Sequence, residues 1–194
     1  MRRRLVAVAA VAVLLLSGCT QRYDSPDDRS HAAGDAVAES LRDIEPQPAE
    51  LRTRGGFDGI TLDARLEDMS ASETRAFLEG ALPVVAESPL GTMPIRIVLS
   101  HDGARSGSGS LEWRGYDPAR AERYFAAVQL WLDVLADPGV RVEEKFDVQA
   151  AYVFGSVEVL DDRDVEAYRA ELHGALEKAG YTAPSLRVTA APTP

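Results

Sequence analysis

Leu111 to Val148 reads LEWRGYDPARAERYFAAVQLWLDVLADPGVRVEEKFDV. Leu111-Glu112-Trp113-Arg114 alternates apolar and polar residues, the two-residue period of a strand with one buried face. Asp117-Pro118 follows, a pair suited to a helix N-cap and the first helical position. Ala121, Tyr124, Phe125, Val128, Leu132 and Leu135 then recur at helical spacing along one face. Asp137-Pro138-Gly139 stops the helix. Beyond it Val140, Val142, Phe146 and Val148 alternate with Arg141, Glu143, Lys145 and Asp147. The stretch predicts one strand–helix–strand unit.

The same order recurs on both sides. Upstream, Ile60, Leu62, Ala64 and Leu66 alternate with Thr61, Asp63 and Arg65 as a strand. Ser70-Ala71-Ser72-Glu73 fits a capping box, in which the serine and glutamate side chains satisfy free backbone donors at a helix start. Phe77, Leu78, Ala81, Leu82 and Val85 supply the apolar stripe, with Pro83 expected to bend or shorten the helix. Ile95-Arg96-Ile97-Val98-Leu99 returns as a strand. Downstream, Val153–Val159 reads as a strand, and Asp161 or Asp162 is placed to cap a helix. Val165, Tyr168, Leu172, Ala175, Leu176 and Ala179 line that helix, and Gly180 ends it. Leu186 and Val188 close the third unit.

Three units of about 40 residues each predict an α+β domain. Alternation in every strand means that one sheet face is buried and one is wet, so all helices should cover the same face. The glycine- and serine-rich stretch Asp102 to Gly109 and the short Gln149-Ala150-Ala151 are hairpin-like links between units, which predicts a mostly antiparallel or mixed sheet. Two such units in series are analogous to a ferredoxin-like βαββαβ arrangement, and the third extends it.

The amino-terminal residues have a different pattern. Arg2, Arg3 and Arg4 precede an unbroken apolar run from Leu5 to Leu16, followed by Ser17-Gly18-Cys19. The run is too short to cross a bilayer, which needs ~20 apolar residues, and has the length and flanks of a secretory signal. Leu16-Ser17-Gly18-Cys19 resembles the lipobox of bacterial lipoproteins. The resemblance implies lipid on the Cys19 thiol and cleavage before it, so that residues 1–18 are removed. It covers the signal and says nothing of the domain behind it. Lipid chains hold a protein to a membrane with roughly 0.8 kcal/mol per buried methylene.

Residues 19–56 then read as a lipidated tether. Tyr23-Asp24-Ser25-Pro26-Asp27-Asp28 is polar and acidic, and Pro46-Gln47-Pro48 interrupts regular structure. Val37, Leu41 and Ile44 fall at helical spacing, but so short an amphipathic helix is marginal alone. The expected organisation is a spacer over 19–56, a single domain over 57–190 and a tail at 191–194.

Charge and cysteine narrow the partners. The 21 basic residues, less Arg2, Arg3 and Arg4, leave 18 against 31 acidic ones, a net charge of −13 for the processed chain. Nucleic acid is an unsuitable partner, because phosphate affinity rests on Lys and Arg clusters. Cys19 is the sole cysteine, so no disulfide forms within the chain and a packed core must hold the domain together.

Motifs that would carry chemistry are sparse. His31, His101 and His173 lack a second ligand at metal spacing, so neither a metal nor a cofactor is predicted. His101-Asp102 lies in a glycine-rich turn and suits the turn better than a base and its orienting acid. Ser106-Gly107-Ser108-Gly109-Ser110 departs from G-x-S-x-G and leads into no helix, so it reads as a loop. Asp161, Asp162 and Asp164 lack the glycine and terminal Glu of a calcium loop and suit a helix start.

Strand parity singles out one surface. With the apolar residues inward, Arg65, Arg96, Arg114, Arg141 and Arg187 share the opposite face with Asp63, Glu112, Glu143 and Glu158. That face reads first as a solvated sheet laced with cross-strand ion pairs, and alternatively as a docking surface. The middle helix is apolar around most of its girth through Ala127, Leu130, Trp131 and Val134, as a central helix flanked by two others should be. The functional expectation is a non-enzymatic, lipid-anchored binding or accessory module of the cell envelope, bound to the membrane through Cys19, with an envelope protein as partner. An envelope enzyme with a site invisible in sequence, or a small ligand-binding lipoprotein linked to transport, are the alternatives.

Overall fold

The computed structural model describes residues 26–56, 59–67, 69–88, 95–101, 109–114, 117, 120–149 and 151–192. The signal, Cys19 and residues 102–108 of the glycine- and serine-rich loop lie outside them. Seven strands form one sheet in chain order: β1 (Glu50–Gly56), β2 (Gly59–Arg65), β3 (Ile95–His101), β4 (Gly109–Arg114), β5 (Val140–Val148), β6 (Tyr152–Val159) and β7 (Ala183–Ala190). Four described helices intervene: α1 (Pro26–Leu41), α2 (Ala71–Glu87), α3 (Ala121–Ala136) and α4 (Val165–Lys178).

The three predicted units are present as β2–α2–β3, β4–α3–β5 and β6–α4–β7, each joining parallel neighbours. Antiparallel pairs β1–β2, β3–β4 and β5–β6 link them, so the sheet is mixed in equal measure. The fold is α+β. Its likeness to a ferredoxin-like arrangement stops at element order, because each helix here bridges adjacent strands instead of straddling an inserted one.

One apolar cluster lies between sheet and helices. Ile60, Leu62, Ile97, Leu99, Val142, Phe146, Val157 and Val188 meet Phe77, Leu82, Tyr124, Trp131, Leu172 and Leu176, all buried. Helix α3 buries Ala127, Trp131 and Val134 as well as its main stripe. It touches both α2 and α4, which is why it is apolar nearly all round. Gly155 of β6 leaves room for the Phe146 ring, whose Cδ1 would be 2.6 Å from a Cβ there.

The boundary predicted at residue 57 is corrected. Val37 and Leu41 of α1 are fully within the core, and β1 completes the sheet edge. Gly34 comes so near β1 that a Cβ would lie 2.8 Å from the Gly55 nitrogen, and Thr53 Oγ1 donates to the Gly34 carbonyl at 2.7 Å. Ile44 fills the space above Gly80 of α2. Gln47 Nε2 donates to the Leu41 carbonyl at 2.8 Å and closes the helix end. A helix this weak alone is formed by tertiary packing, which local propensity cannot register. Strand β1 escaped notice because Glu50, Arg52 and Arg54 look like linker residues; on an edge strand they occupy the wet side.

Helix starts also shift. Ser70 and Glu73 make the predicted capping box, and α2 continues past Pro83 to Glu87 without being shortened. Arg120, not Asp117, is the N-cap position of α3, after a turn closed by the Arg120 N–H on the Asp117 carbonyl at 2.9 Å. Asp164, not Asp161 or Asp162, caps α4, accepting from the Glu166 and Ala167 amides at 2.9 and 3.1 Å. Gly180 has φ +95°, and Tyr181 N–H bonds the Leu176 carbonyl, the expected left-handed helix stop.

Candidate functional surface

The wet face of the sheet is built by alternation. Arg65, Arg96, Arg141 and Arg187 stand on the parity opposite the buried residues of their strands, as strand reading predicted. Arg114 lies directly opposite Arg96 in the β3–β4 register. Two further arginines that the boundary error concealed join them on β1, Arg52 and Arg54.

Acids answer these cations. Arg54 pairs with Asp63 across β1–β2, Arg52 with Glu50, and Arg65 with Glu67 while lying 4.0 Å from Glu50. Arg141 pairs with Glu158 across β5–β6. Most of these groups are well exposed, where an ion pair contributes ~0.2–1 kcal/mol. Glu158 differs: it is 4% exposed on the nominally wet side, beside Ser156 at 0%. The Ser156 hydroxyl donates to Glu143 Oε2 at 3.2 Å; Arg141 lies directly opposite Glu158, and the β5–β6 register is irregular on both sides of Glu144.

At the start of β6 the same face turns apolar. Tyr152 and Phe154 are 45% and 41% exposed, with ring centroids 6.0 Å apart. Sequence reading singled out Val153–Val159 as a strand but drew nothing from the opposite parity, where alternation already places both rings. A depression of about 200 Å³ lies among Glu50, Arg52, Asp63, Arg65, Val98 and Ser100 on the other half of the face. A second, of about 210 Å³, lies between α2 and α3, where Arg75 covers the Phe125 ring at 4.8 Å and pairs with Glu122.

The histidines are dispersed. His31 is exposed on α1, His101 ends β3, and His173 Nε2 donates to the Leu186 carbonyl at 3.1 Å. Arg169 Nη2 reaches the Val188 carbonyl at 2.8 Å, so α4 side chains cover the outer carbonyls of edge strand β7. Among the described residues no three His, Cys, Asp or Glu side chains gather as a metal site. Nor is any described helix long and apolar enough to cross a membrane. Asp161 pairs with Arg163, which also holds Asp137, so this acid serves the loop between β6 and α4.

No protein-family model matches the sequence, and comparison with curated proteins finds no match.

Proposed function

We propose that this chain is a bacterial lipoprotein, cut before Cys19 and held by lipid to the extracytoplasmic side of the cell membrane. Its domain acts as a non-enzymatic binding or accessory module of the envelope. The observation that carries the reading is the sequence Leu16-Ser17-Gly18-Cys19 behind three arginines and an apolar run. The module part is supported by the breadth of the wet face of the seven-stranded sheet, which carries the ion pairs Arg54–Asp63 and Arg141–Glu158 and the exposed rings of Tyr152 and Phe154.

Cys19→Ala should abolish incorporation of labelled fatty acid and the cut before residue 19, read by mass spectrometry of the mature amino terminus. An unmodified cysteine, or cleavage elsewhere, would sink the anchor. Crosslinking of the membrane-bound protein tests the module: capture of a specific envelope protein supports it, and a co-purifying small molecule in its place redirects the domain to ligand binding.

A further inference from the structure

We infer that the wet sheet face receives an acidic segment of a protein partner, and that Arg54, Arg96 and Arg114 form the row on which its carboxylates sit. The inference rests on the module proposed above and adds the chemistry of the partner and the place where it docks.

Register sets the three arginines in one line. Arg54 stands opposite Thr61, Thr61 beside Arg96, and Arg96 opposite Arg114, so the row crosses β1 to β4 on the wet face. The row holds no acid. The two rows after it, Arg52–Asp63–Val98–Glu112 and Glu50–Arg65–Ser100–Ser110, mix both charges. Arg52, Arg65 and Arg141 each have a carboxylate directly opposite, on Asp63, Glu50 and Glu158. Arg96 has another arginine. Like charges directly opposite one another destabilise a ladder. The fold therefore carries a repulsion at this position that a partner's carboxylate would relieve.

The row is also open to a partner. Arg96 is exposed, and the Arg54 side chain stays 69% exposed while bonded to Asp63. Beyond the row on the same face of β1 and β2 come Gly56 and Gly59, which have no side chain to overhang it.

Width and charge choose the occupant. Three strand spacings separate Arg54 from Arg114, about 14 Å at ~4.8 Å each. One small anion cannot span that, whereas several carboxylates on one segment can. The processed chain carries −13, and each of the four helices has more acids than bases. A long polyanion would meet that field, while a short acidic segment meets only the row. Guanidinium groups bind carboxylates through paired, charge-assisted N–H donors, so arginine suits this role.

The test uses the lipidated protein in phosphatidylcholine vesicles and a fluorescent peptide with glutamate at alternate positions among glycines. Its glutamine counterpart is the control. Anisotropy should show binding of the glutamate peptide alone, weakening as salt is raised. The double variant Arg96→Gln, Arg114→Gln should bind about five- to tenfold more weakly, as the loss of two exposed ion pairs allows. It should unfold at or above the wild-type temperature, because like charges no longer stand opposite. Arg54→Gln, at an exposed edge-strand site, should give a smaller loss that does not depend on how the double variant folds. Arg42→Gln, an equal charge change on an exposed residue off the sheet, should bind as wild type. Equal binding of the two peptides, or of double variant and wild type, overturns the row. Tighter binding of polyphosphate, lost in the same variant, overturns the acidic segment. Crosslinked capture of one envelope protein that the double variant retains in full overturns the row and leaves the module standing. No peptide binding and no captured protein ends the module and this inference together.

Discussion

Arg163 grips Asp137 with two hydrogen bonds, Nη1 to Oδ2 at 2.5 Å and Nη2 to Oδ1 at 3.0 Å. The pair joins the turn after α3 to the loop before α4. The Gly139 amide donates to the same carboxylate at 2.8 Å, and the guanidinium also covers the Tyr168 ring at 4.9 Å. Arg163 holds the Asp137 carboxyl below the usual carboxylate range, against an opposing effect of burial. A depressed folded pKa gives stability that is present above the unfolded value, near 3.9, and lost as pH falls through the folded value. Asp137→Asn should cost about 1–3 kcal/mol at neutral pH, as expected for a charged, partly buried hydrogen-bond set. Urea denaturation across pH 7 to 2 checks this: the gap from wild type should close on the acid side. A constant gap would mean that the carboxylate charge is immaterial.

Arg141 should matter more than its neighbours on the same face. Its partner Glu158 is nearly buried, so Arg141→Gln leaves a carboxylate without its cation and should cost about 1–3 kcal/mol. Arg187→Gln, on an exposed residue, should stay within ~0.5 kcal/mol. Adding Glu158→Gln to the Arg141 variant should recover much of the loss, since the stranded charge is then gone. Equal effects at 141 and 187 would show Glu158 to be solvated.

Helix α1 can be tested through its glycine. Gly34→Ala places a methyl against the β1 backbone, and overpacking of this kind costs about 1–3 kcal/mol. Gly174→Ala on α4 meets open space and should stabilise by roughly 0.5–1 kcal/mol. Thermal unfolding separates the two signs. In dilute protease the segment 31–56 should resist along with the rest of the domain; early cuts there would restore the long spacer.

Thr74 offers a case where removing a polar group should help. Its hydroxyl is fully buried in α2, with no hydrogen-bond partner among the described residues. Thr74→Val keeps the shape and removes an uncompensated desolvation cost of about 1–3 kcal/mol, so chemical denaturation should find the variant as stable as wild type or more so. A clear loss would reveal a partner for the hydroxyl.

Much of this architecture was legible because it is local. Alternation in Ile60–Leu66, Ile95–Leu99 and Val140–Val148 follows from the two-residue pleat, and the capping box at Ser70 and the stop at Gly180 from backbone groups a few residues apart. The arginine parity was legible for the same reason. Helix starts at Arg120 and Asp164 were missed by a few residues, because several acids and a proline compete for each cap within one turn.

Residue order alone specifies three strand–helix–strand units, one buried sheet face and a wet face carrying Arg65, Arg96, Arg141 and Arg187. That α1 and β1 belong to the domain emerges from the folded chain, since Val37, Leu41 and Gly34 act through contacts with residues far along the chain. Folding also sets which acid meets which arginine, and buries Glu158 on the wet side. Those outcomes depend on strand order and register, and pairing between strands is a long-range contact that no single strand's pattern encodes.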